Sequence, residues 1–318
     1  MSDPYGTQME RIDRLHTEYR QLPGGLRDWV LSAFGSPLAS IDYAAHGFMP
    51  GCVGSIYLAN GRRAFLKSAS RTQHEEAAAR LASEIGVLRT IGHVAEVPSF
   101  YGSYDDGDWL ALLEEQIEGR YPDPVAETDF RIVAGRIEHL TAQLSPPPVT
   151  AGIRSMTEQL DRWLLFWRRA NLPGNSAILP SWITEAGSRL LAEDHSLDTY
   201  LASESLCHWD LLPENILITS TNDVIFVDWG SVRLGPRWMD QYFFLLNVVE
   251  FSSFDIRIRE NHELIRLPEE ALNTLLLLQT VSVLWYVAKM DHGSLPGLTA
   301  RRQARAQRML TGLQRRVC

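Results

Sequence analysis

A chain of 318 residues is long enough for one large domain, or for two smaller ones that share a cleft. Apolar residues at 45% and charged residues at 22% match ordinary globular usage, and no run approaches eighteen consecutive apolar residues, which excludes a membrane-spanning helix. The net charge of -9 argues against general nucleic-acid binding, which needs cationic surface to displace counterions from phosphate.

The opening MSDPYGTQMERIDRLHTEYR is polar and lacks the apolar core of an export signal, so a cytoplasmic location is expected. Residues 8–35 predict a helical extension, with Ile12, Leu15, Trp29 and Leu31 among its apolar positions and Pro23-Gly24-Gly25 as a break. Strands follow: VGSIYLA (53–59) and RAFLK (63–67) flank Asn60-Gly61, the strongest short hairpin signal a sequence offers. Residues 72–91 read as a helix, and SFYGSYDDGDWLALLEEQ as two strands around an Asp-rich turn, ending at Gly119. Helices then dominate, over about 127–144, 154–170, 181–194, 238–251, 267–290 and 298–315. One hairpin interrupts them, NILIT and VIFVD around Ser220 to Asp223. Pro146-Pro147-Pro148 marks a loop or a joint. Such segregation predicts an α+β protein of two lobes rather than alternating β-α units: an extension over 1–35, a small sheet-bearing lobe over 36–118 and a larger helical lobe over 119–318.

Three residue counts sharpen this picture. Cys52, Cys207 and Cys318 are an odd number without metal-ligand spacing, so neither a disulfide framework nor a zinc site is expected. Residues 291–318 carry six arginines (Arg301, Arg302, Arg305, Arg308, Arg315, Arg316) against Asp291, and such a run reads as a solvated helix face. Of the 30 basic residues only Lys67 and Lys289 are lysine, so a position that keeps lysine in this arginine-rich chain marks a need for an ammonium.

The most specific stretch is LCHWDLLPENILITSTNDVIFVDWG, residues 206–230. Asp210 is followed five residues later by Asn215, and Asp228 lies on the far strand of the hairpin. Phosphoryl transfer explains these residue types: Asp210 can orient and deprotonate an attacking hydroxyl, while Asn215 and Asp228 supply hard oxygen ligands for Mg²⁺. Taken singly, Asp210 and Asn215 read as turn residues and Asp228 as the cap of a strand; the three together favour catalysis.

His208-Trp209-Asp210-Leu211-Leu212-Pro213-Glu214-Asn215-Ile216-Leu217 and Val227-Asp228-Trp229-Gly230 resemble the aminoglycoside phosphotransferase and small-molecule kinase family, which shares the protein-kinase fold. Gly235-Pro236-Arg237-Trp238-Met239-Asp240 is similar to that family's Gly-x-Pro-x-x-Asp segment. The resemblance implies that Asp240 braces the catalytic loop through its backbone and that His208 anchors the loop rather than carrying a proton. Trp209 departs from the family's usual small residue.

The resemblance further implies a bilobal protein-kinase-like fold with a lysine on the third strand of the small lobe and a glutamate on the following helix. Lys67 fits the first place, a compact ammonium for the nucleotide phosphates. Glu84 is preferred for the second over Glu75 and Glu76, because it shares a helical face with Leu88 and Ile91. The loop HGFMPGCVGSIY, with Gly47, Gly51, Gly54 and the hydroxyl of Ser55, is expected over the phosphates, though a plain turn serine suits position 55 nearly as well. Backbone atoms of Glu115 and Ile117 are the expected adenine contacts, with ATP as the default donor over GTP. Lys289 needs only the dipole of a helix end.

The acceptor pocket is expected in residues 146–205 and 251–300. Trp163, Phe166 and Trp167 read first as core packing and second as a stacking surface. Asp161, Glu185, Asp194, Asp198, Asp255 and Glu260 suit a cationic acceptor such as an aminoglycoside or basic peptide antibiotic, and surface solvation accounts for them equally well. The expected activity is a Mg²⁺-dependent O-phosphotransferase acting on a small-molecule hydroxyl. A metabolic kinase for a sugar, amino alcohol or natural-product intermediate is the first alternative, and a nucleotide-binding pseudokinase scaffold the second. A protein kinase comes third, since no Ala-Pro-Glu-type segment follows Asp228.

Overall fold

The computed structural model describes residues 17–44, 50–192, 197–289 and 296–318, so the part of the expected first helix over 8–16, Gly47 and Asp194 lie outside the described residues. The chain forms two compact units, residues 1–122 with 213–231, and residues 123–212 with 232–318. This division differs from a single boundary at 118, because the hairpin of the central motif joins the first unit.

The first unit is built on five antiparallel strands. They are β1 (Leu38–Tyr43), β2 (Val53–Leu58), β3 (Arg63–Ser70), β4 (Phe100–Asp105) and β5 (Trp109–Glu114), in the spatial order β1-β2-β3-β5-β4. The Asn60-Gly61 turn sets the β2–β3 register, with Ile56 opposite Ala64. Side chains alternate between the two faces. Ile56, Leu58, Ala64, Leu66, Ala111 and Leu113 fill one face, and helix α1 (Gly24–Phe34) covers it with Leu26, Val30 and Phe34. The Pro23-Gly24-Gly25 break is thus the start of α1, whose stripe makes it part of this core instead of an extension. Strand β1 gave no sequence signal, since it is an edge strand with no fully buried position.

Helix α2 (Glu75–Ile91) packs on the opposite face, the side on which Lys67 projects. The second hairpin, Ile216–Ile218 with Val224–Phe226, is tied to the same unit by backbone bonds. Arg120 and Ile218 exchange N–H···O=C bonds of 3.0 and 2.9 Å, and the Phe226 N–H donates to the Glu96 carbonyl at 2.8 Å.

Gly51 and Gly54 have packing reasons of their own. Gly51 has φ +119°, and a Cβ there would run into the Ser68 carbonyl oxygen of β3; at Gly54 it would meet the Asp42 carbonyl of β1. Gly51→Ala is therefore expected to cost about 1–3 kcal/mol from the backbone conformation alone. A lowered urea midpoint checks this, and an unchanged midpoint would remove the steric account. Between the two glycines Cys52 is fully buried, its N–H donating to Ser68 Oγ, and burial pushes its thiol up to about 12.

The second unit is helical: α3 (Glu127–Gln143), α4 (Met156–Ala170), α5 (Ser181–Ala192), α6 (Met239–Leu245), α7 (Ser253–Glu260), α8 (Glu269–Lys289) and α9 (Pro296–Val317). A Ser155–Glu158 capping box starts α4, which buries Met156, Leu160, Trp163 and Phe166 along one stripe. The helix expected over 238–251 is shorter: α6 passes into a 3₁₀ turn at Leu246–Val248, and α7 follows as a separate helix. Every residue of α8 from Ala271 to Ser282 is buried. By length and composition α8 is apolar enough to cross a bilayer, even though polar residues interrupt its apolar runs, and 67% of that stretch is buried within the protein as core helix. Helix α9 adds Ala306, Met309 and Leu313 to the buried residues. Its Arg315 and Arg316 both pair with Asp255, so this arginine run is only in part a solvated face.

Candidate active site

Strand alternation and one helix place a buried charge cluster in the first unit. Lys67 lies opposite Leu112 in the β3–β5 ladder, so Glu114, two residues along β5, shares its face. Lys67 Nζ stands 2.6 Å from Glu84 Oε1 on α2 and 3.0 Å from Glu114 Oε1. All three side chains are buried. Burial opposes the charge on Lys67, yet Glu114, Glu84 and Asp228 together hold its ammonium above the ordinary lysine value. Burial also raises the Glu84 carboxyl above the ordinary carboxylate range, with Lys67 pulling it back. Glu84 additionally accepts the Trp229 N–H at 3.1 Å, which links the helix directly to the Asp228-Trp229 turn. Glu75 and Glu76 sit exposed in the first turn of α2. The role of Glu114 escaped the sequence reading; the strand register was the signal that could have found it.

The hairpin brings the two expected metal ligands to neighbouring positions. The Val227 N–H donates to the Asn215 carbonyl at 2.9 Å, so Asp228 begins one residue beyond the point where the strands meet. Asp228 has φ 66°, a left-handed conformation rare for a residue with a side chain, and Arg80 Nη2 lies 3.7 Å from its carboxylate. Among the described residues no cluster of three His, Cys, Asp or Glu side chains could hold a metal ion. Two oxygen donors still fit Mg²⁺, which keeps several waters and binds through one or two protein ligands plus phosphate oxygens. They would not make a zinc centre.

Ser55 Oγ donates to Gln116 Oε1 at 2.6 Å, and Gln116 Nε2 donates to the Ile117 carbonyl at 3.2 Å. The Glu115 N–H is engaged by the Ser99 carbonyl, and the Glu115 carboxylate accepts from the Ser99 hydroxyl at 2.8 Å. These bonds fix the segment expected to face the base, and they give the Ser55 hydroxyl a structural partner.

Asp210 belongs to the second unit. Its loop hangs on Asp240 at the start of α6, which accepts the His208 N–H at 2.8 Å and the Trp209 N–H at 3.0 Å. Burial raises the Asp240 carboxyl, while His208 and the two backbone bonds lower it. Buried His208 takes the Asp210 N–H on Nδ1 at 3.3 Å, and Asn247 Nδ2 holds the Leu211 carbonyl at 2.8 Å. Trp209 is held at φ 76°. Stacking supports that conformation: its ring lies 4.3 Å from Phe243 and 5.7 Å from Trp163, with the Arg233 guanidinium 5.5 Å above it.

Trp209 also walls a cavity of about 260 Å³ lying within the second unit. Trp163 contributes to the wall, so it serves both core and cavity, whereas Phe166 stacks on Trp285 and Trp167 packs over Gly187. None of the described candidate acids lines it. Asp161, Glu185, Asp198 and Glu260 are exposed, Asp255 is engaged by Arg315 and Arg316, and Asp194 lies outside the described residues. Arginines stand there instead: Arg162, Arg233, Arg302 and Arg305.

Comparison with known proteins agrees with this geometry. A family model described as the phosphotransferase enzyme family matches residues 56–269. No curated protein sequence matches. Among solved structures, choline kinase LicA from Streptococcus pneumoniae superposes with a TM-score of 0.64 at 16% identity, covering 91% of this chain and 98% of that one. An aminoglycoside phosphotransferase from Alicyclobacillus acidocaldarius gives 0.60 at 16% identity, with 95% and 98% covered. The macrolide 2'-phosphotransferase MphH from Brachybacterium faecium gives 0.55 at 18% identity, with 91% and 96% covered. At such identities the likeness establishes the α+β kinase-like fold.

Proposed function

Since the chain belongs to the phosphotransferase enzyme family, with a hydroxyl group as acceptor, we propose that it moves the γ-phosphate of ATP, or of GTP, to a small molecule. The observation that carries this reading is the buried Lys67 between Glu84 and Glu114, in the same unit as Asn215 and Asp228. In the proposed division of labour Lys67, positioned by Glu84, binds the nucleotide phosphates, helped by the loop of Gly51, Gly54 and Ser55. Glu115 and Ile117 face the base through their backbone. Asn215 and Asp228 hold Mg²⁺, which supplies charge neutralisation to the phosphates. Asp210 takes the proton of the acceptor hydroxyl as its oxygen attacks the γ-phosphorus and ADP leaves. A cytoplasmic location, where the nucleotide donor is made, accompanies this reading.

Two acceptor classes were open from the sequence. The cavity favours the metabolic kinase over a resistance enzyme for polycations, because the described residues that line it include four arginines and no carboxylate. The test is ADP release from MgATP against a panel of small alcohols, hydroxy acids and antibiotics, with EDTA as control. Acceptor-stimulated, EDTA-sensitive release supports the proposal. Nucleotide binding without turnover against any acceptor would instead leave a pseudokinase scaffold.

A further inference from the structure

The cavity beside Trp209 has a chemistry that the rest of the chain does not predict. A protein of net charge -9 gathers four guanidiniums there, from α4, from the Arg233–Gly235 strand and from α9, and none of the described residues that line it is Asp or Glu. Like charges around so small a volume repel one another, and the low-dielectric aromatic wall strengthens that repulsion. Three of the cations rest on rings: Arg233 over Trp209, Arg302 at 5.8 Å over Tyr286, and Arg162 at 5.4 Å over Phe166. Arg162 also donates to Tyr286 Oη at 2.7 Å. Arg233 gives Nη1 to the Val232 carbonyl at 2.7 Å, so the edges offered to an anion are those of Arg302 and Arg162, since a stacked guanidinium presents its planar fork of N–H donors to a carboxylate or phosphate. Glu158 lies close enough to Arg233 for the two charges to interact, so it offsets part of the Arg233 charge while its Oε2 accepts the Ser155 N–H and hydroxyl.

Gln279 of α8 supplies a second, independent sign of a ligand. It lines the cavity, is 4% exposed, and neither its Nε2 nor its Oε1 has a hydrogen-bond partner. Burying both ends of an amide unpaired is unfavourable, and native structures rarely do it without a partner to come. A group that both donates and accepts, such as a hydroxyl, would satisfy it. Trp209 directly precedes Asp210, so the cavity adjoins the loop that carries the proposed base.

We propose that this cavity binds an acceptor bearing a carboxylate or phosphate monoester on a small body with a flat apolar face. The anion meets the edges of Arg162 and Arg302, the apolar face lies along Trp163, Trp209 and Phe243, and a polar group reaches Gln279. The assignment of the ligand as acceptor rests on the phosphotransferase reading; its charge does not. A volume near the lower end of the usual range for ligand pockets fits a small acceptor.

The test titrates the full chain with benzoate, phenyl phosphate, benzylamine and benzyl alcohol at fixed ionic strength, following tryptophan fluorescence. Saturating ADP is present throughout, to compete phenyl phosphate away from the nucleotide site. The same titrations use Arg162→Met, Arg302→Met and Gln279→Leu, with exposed Arg168→Met as control. At least one anion should bind ten times more tightly than benzylamine and benzyl alcohol. Each cavity arginine variant should lose about tenfold of that affinity, and Arg168→Met none. The tighter of the two anions identifies carboxylate or phosphate as the recognised group. Equal or tighter binding of benzylamine, no binding of any probe, or indifference to both arginine variants would overturn the proposal. Two arginine variants guard against one failing to fold. Binding needs no turnover: anion binding with no ADP release from MgATP against any hydroxyl-bearing member of the acceptor panel would reject the phosphotransferase reading alone, whereas turnover on amino alcohols without anion binding would reject this one alone.

Discussion

Asp210→Ala is expected to lower acceptor phosphorylation by about 10²–10⁴-fold while leaving the affinity for MgATP unchanged. The loop around Asp210 is held by groups other than its own side chain. Asp240 anchors the His208 and Trp209 N–H groups, and Asn247 anchors the Leu211 carbonyl, so removing one half-buried carboxylate should leave the backbone in place. The residues proposed to bind nucleotide all lie in the other unit. The loss should therefore fall on kcat, with the dissociation constant for nucleotide preserved. Single-turnover ADP release and nucleotide calorimetry on the same preparation check both halves. Equal transfer rates for variant and parent would remove Asp210 as the base.

Lys67→Met should have the largest effect on stability. It strands Glu84 and Glu114 beside each other in a buried site, and breaking such a group by removing one partner costs about 3–5 kcal/mol. Adding Glu114→Gln should return part of that loss, because one of the two stranded charges disappears with it. The deficit also has a predictable pH dependence. Burial already raises Glu84 above its unfolded value, and without the ammonium it rises further. A folded-state carboxyl raised in this way favours the folded state at low pH and loses that advantage as pH climbs through its folded value. Urea denaturation should therefore show a larger deficit at pH 8 than at pH 5. A deficit that does not change with pH, or Glu114→Gln making matters worse, would contradict the buried-charge account.

Where the sequence was readable, short-range chemistry was the reason. Asn60-Gly61 dictates a hairpin from two residues, and the helical face shared by Glu84, Leu88 and Ile91 predicts which glutamate α2 buries. The helix over 156–170 likewise follows its apolar stripe and capping box, the one over 127–143 its i, i+4 spacing of Val133, Ile137 and Thr141, and the one over 269–289 the length of its apolar stretch. Features fixed by tertiary partners were hidden. Strand β1 has no alternating pattern because its stabilisation comes from pairing with β2 alone, at an edge. The 213–231 segment reads as part of the helical half by position, yet its backbone bonds go to Arg120 and Glu96. The arginines of α9 show how one periodicity was misread as surface. Arg302 and Arg305 continue the inward stripe of Ala306, Met309 and Leu313, so spacing pointed inward while charge pointed outward. Charge pointed to solvent, and the cavity that reverses that preference draws its arginines from three separate elements.

The burial of Cys52 has a practical consequence. Only a thiolate is alkylated or oxidised readily, and the interior withholds it from both buried cysteines: the Cys52 thiol stays neutral far above physiological pH, and burial raises Cys207 well above its usual value too. Cys318 is exposed. A maleimide at neutral pH is thereby steered to one position, next to Val317 at the end of α9. The native chain thus offers an address for a fluorophore or a surface tether, with no cysteine to be engineered in or out.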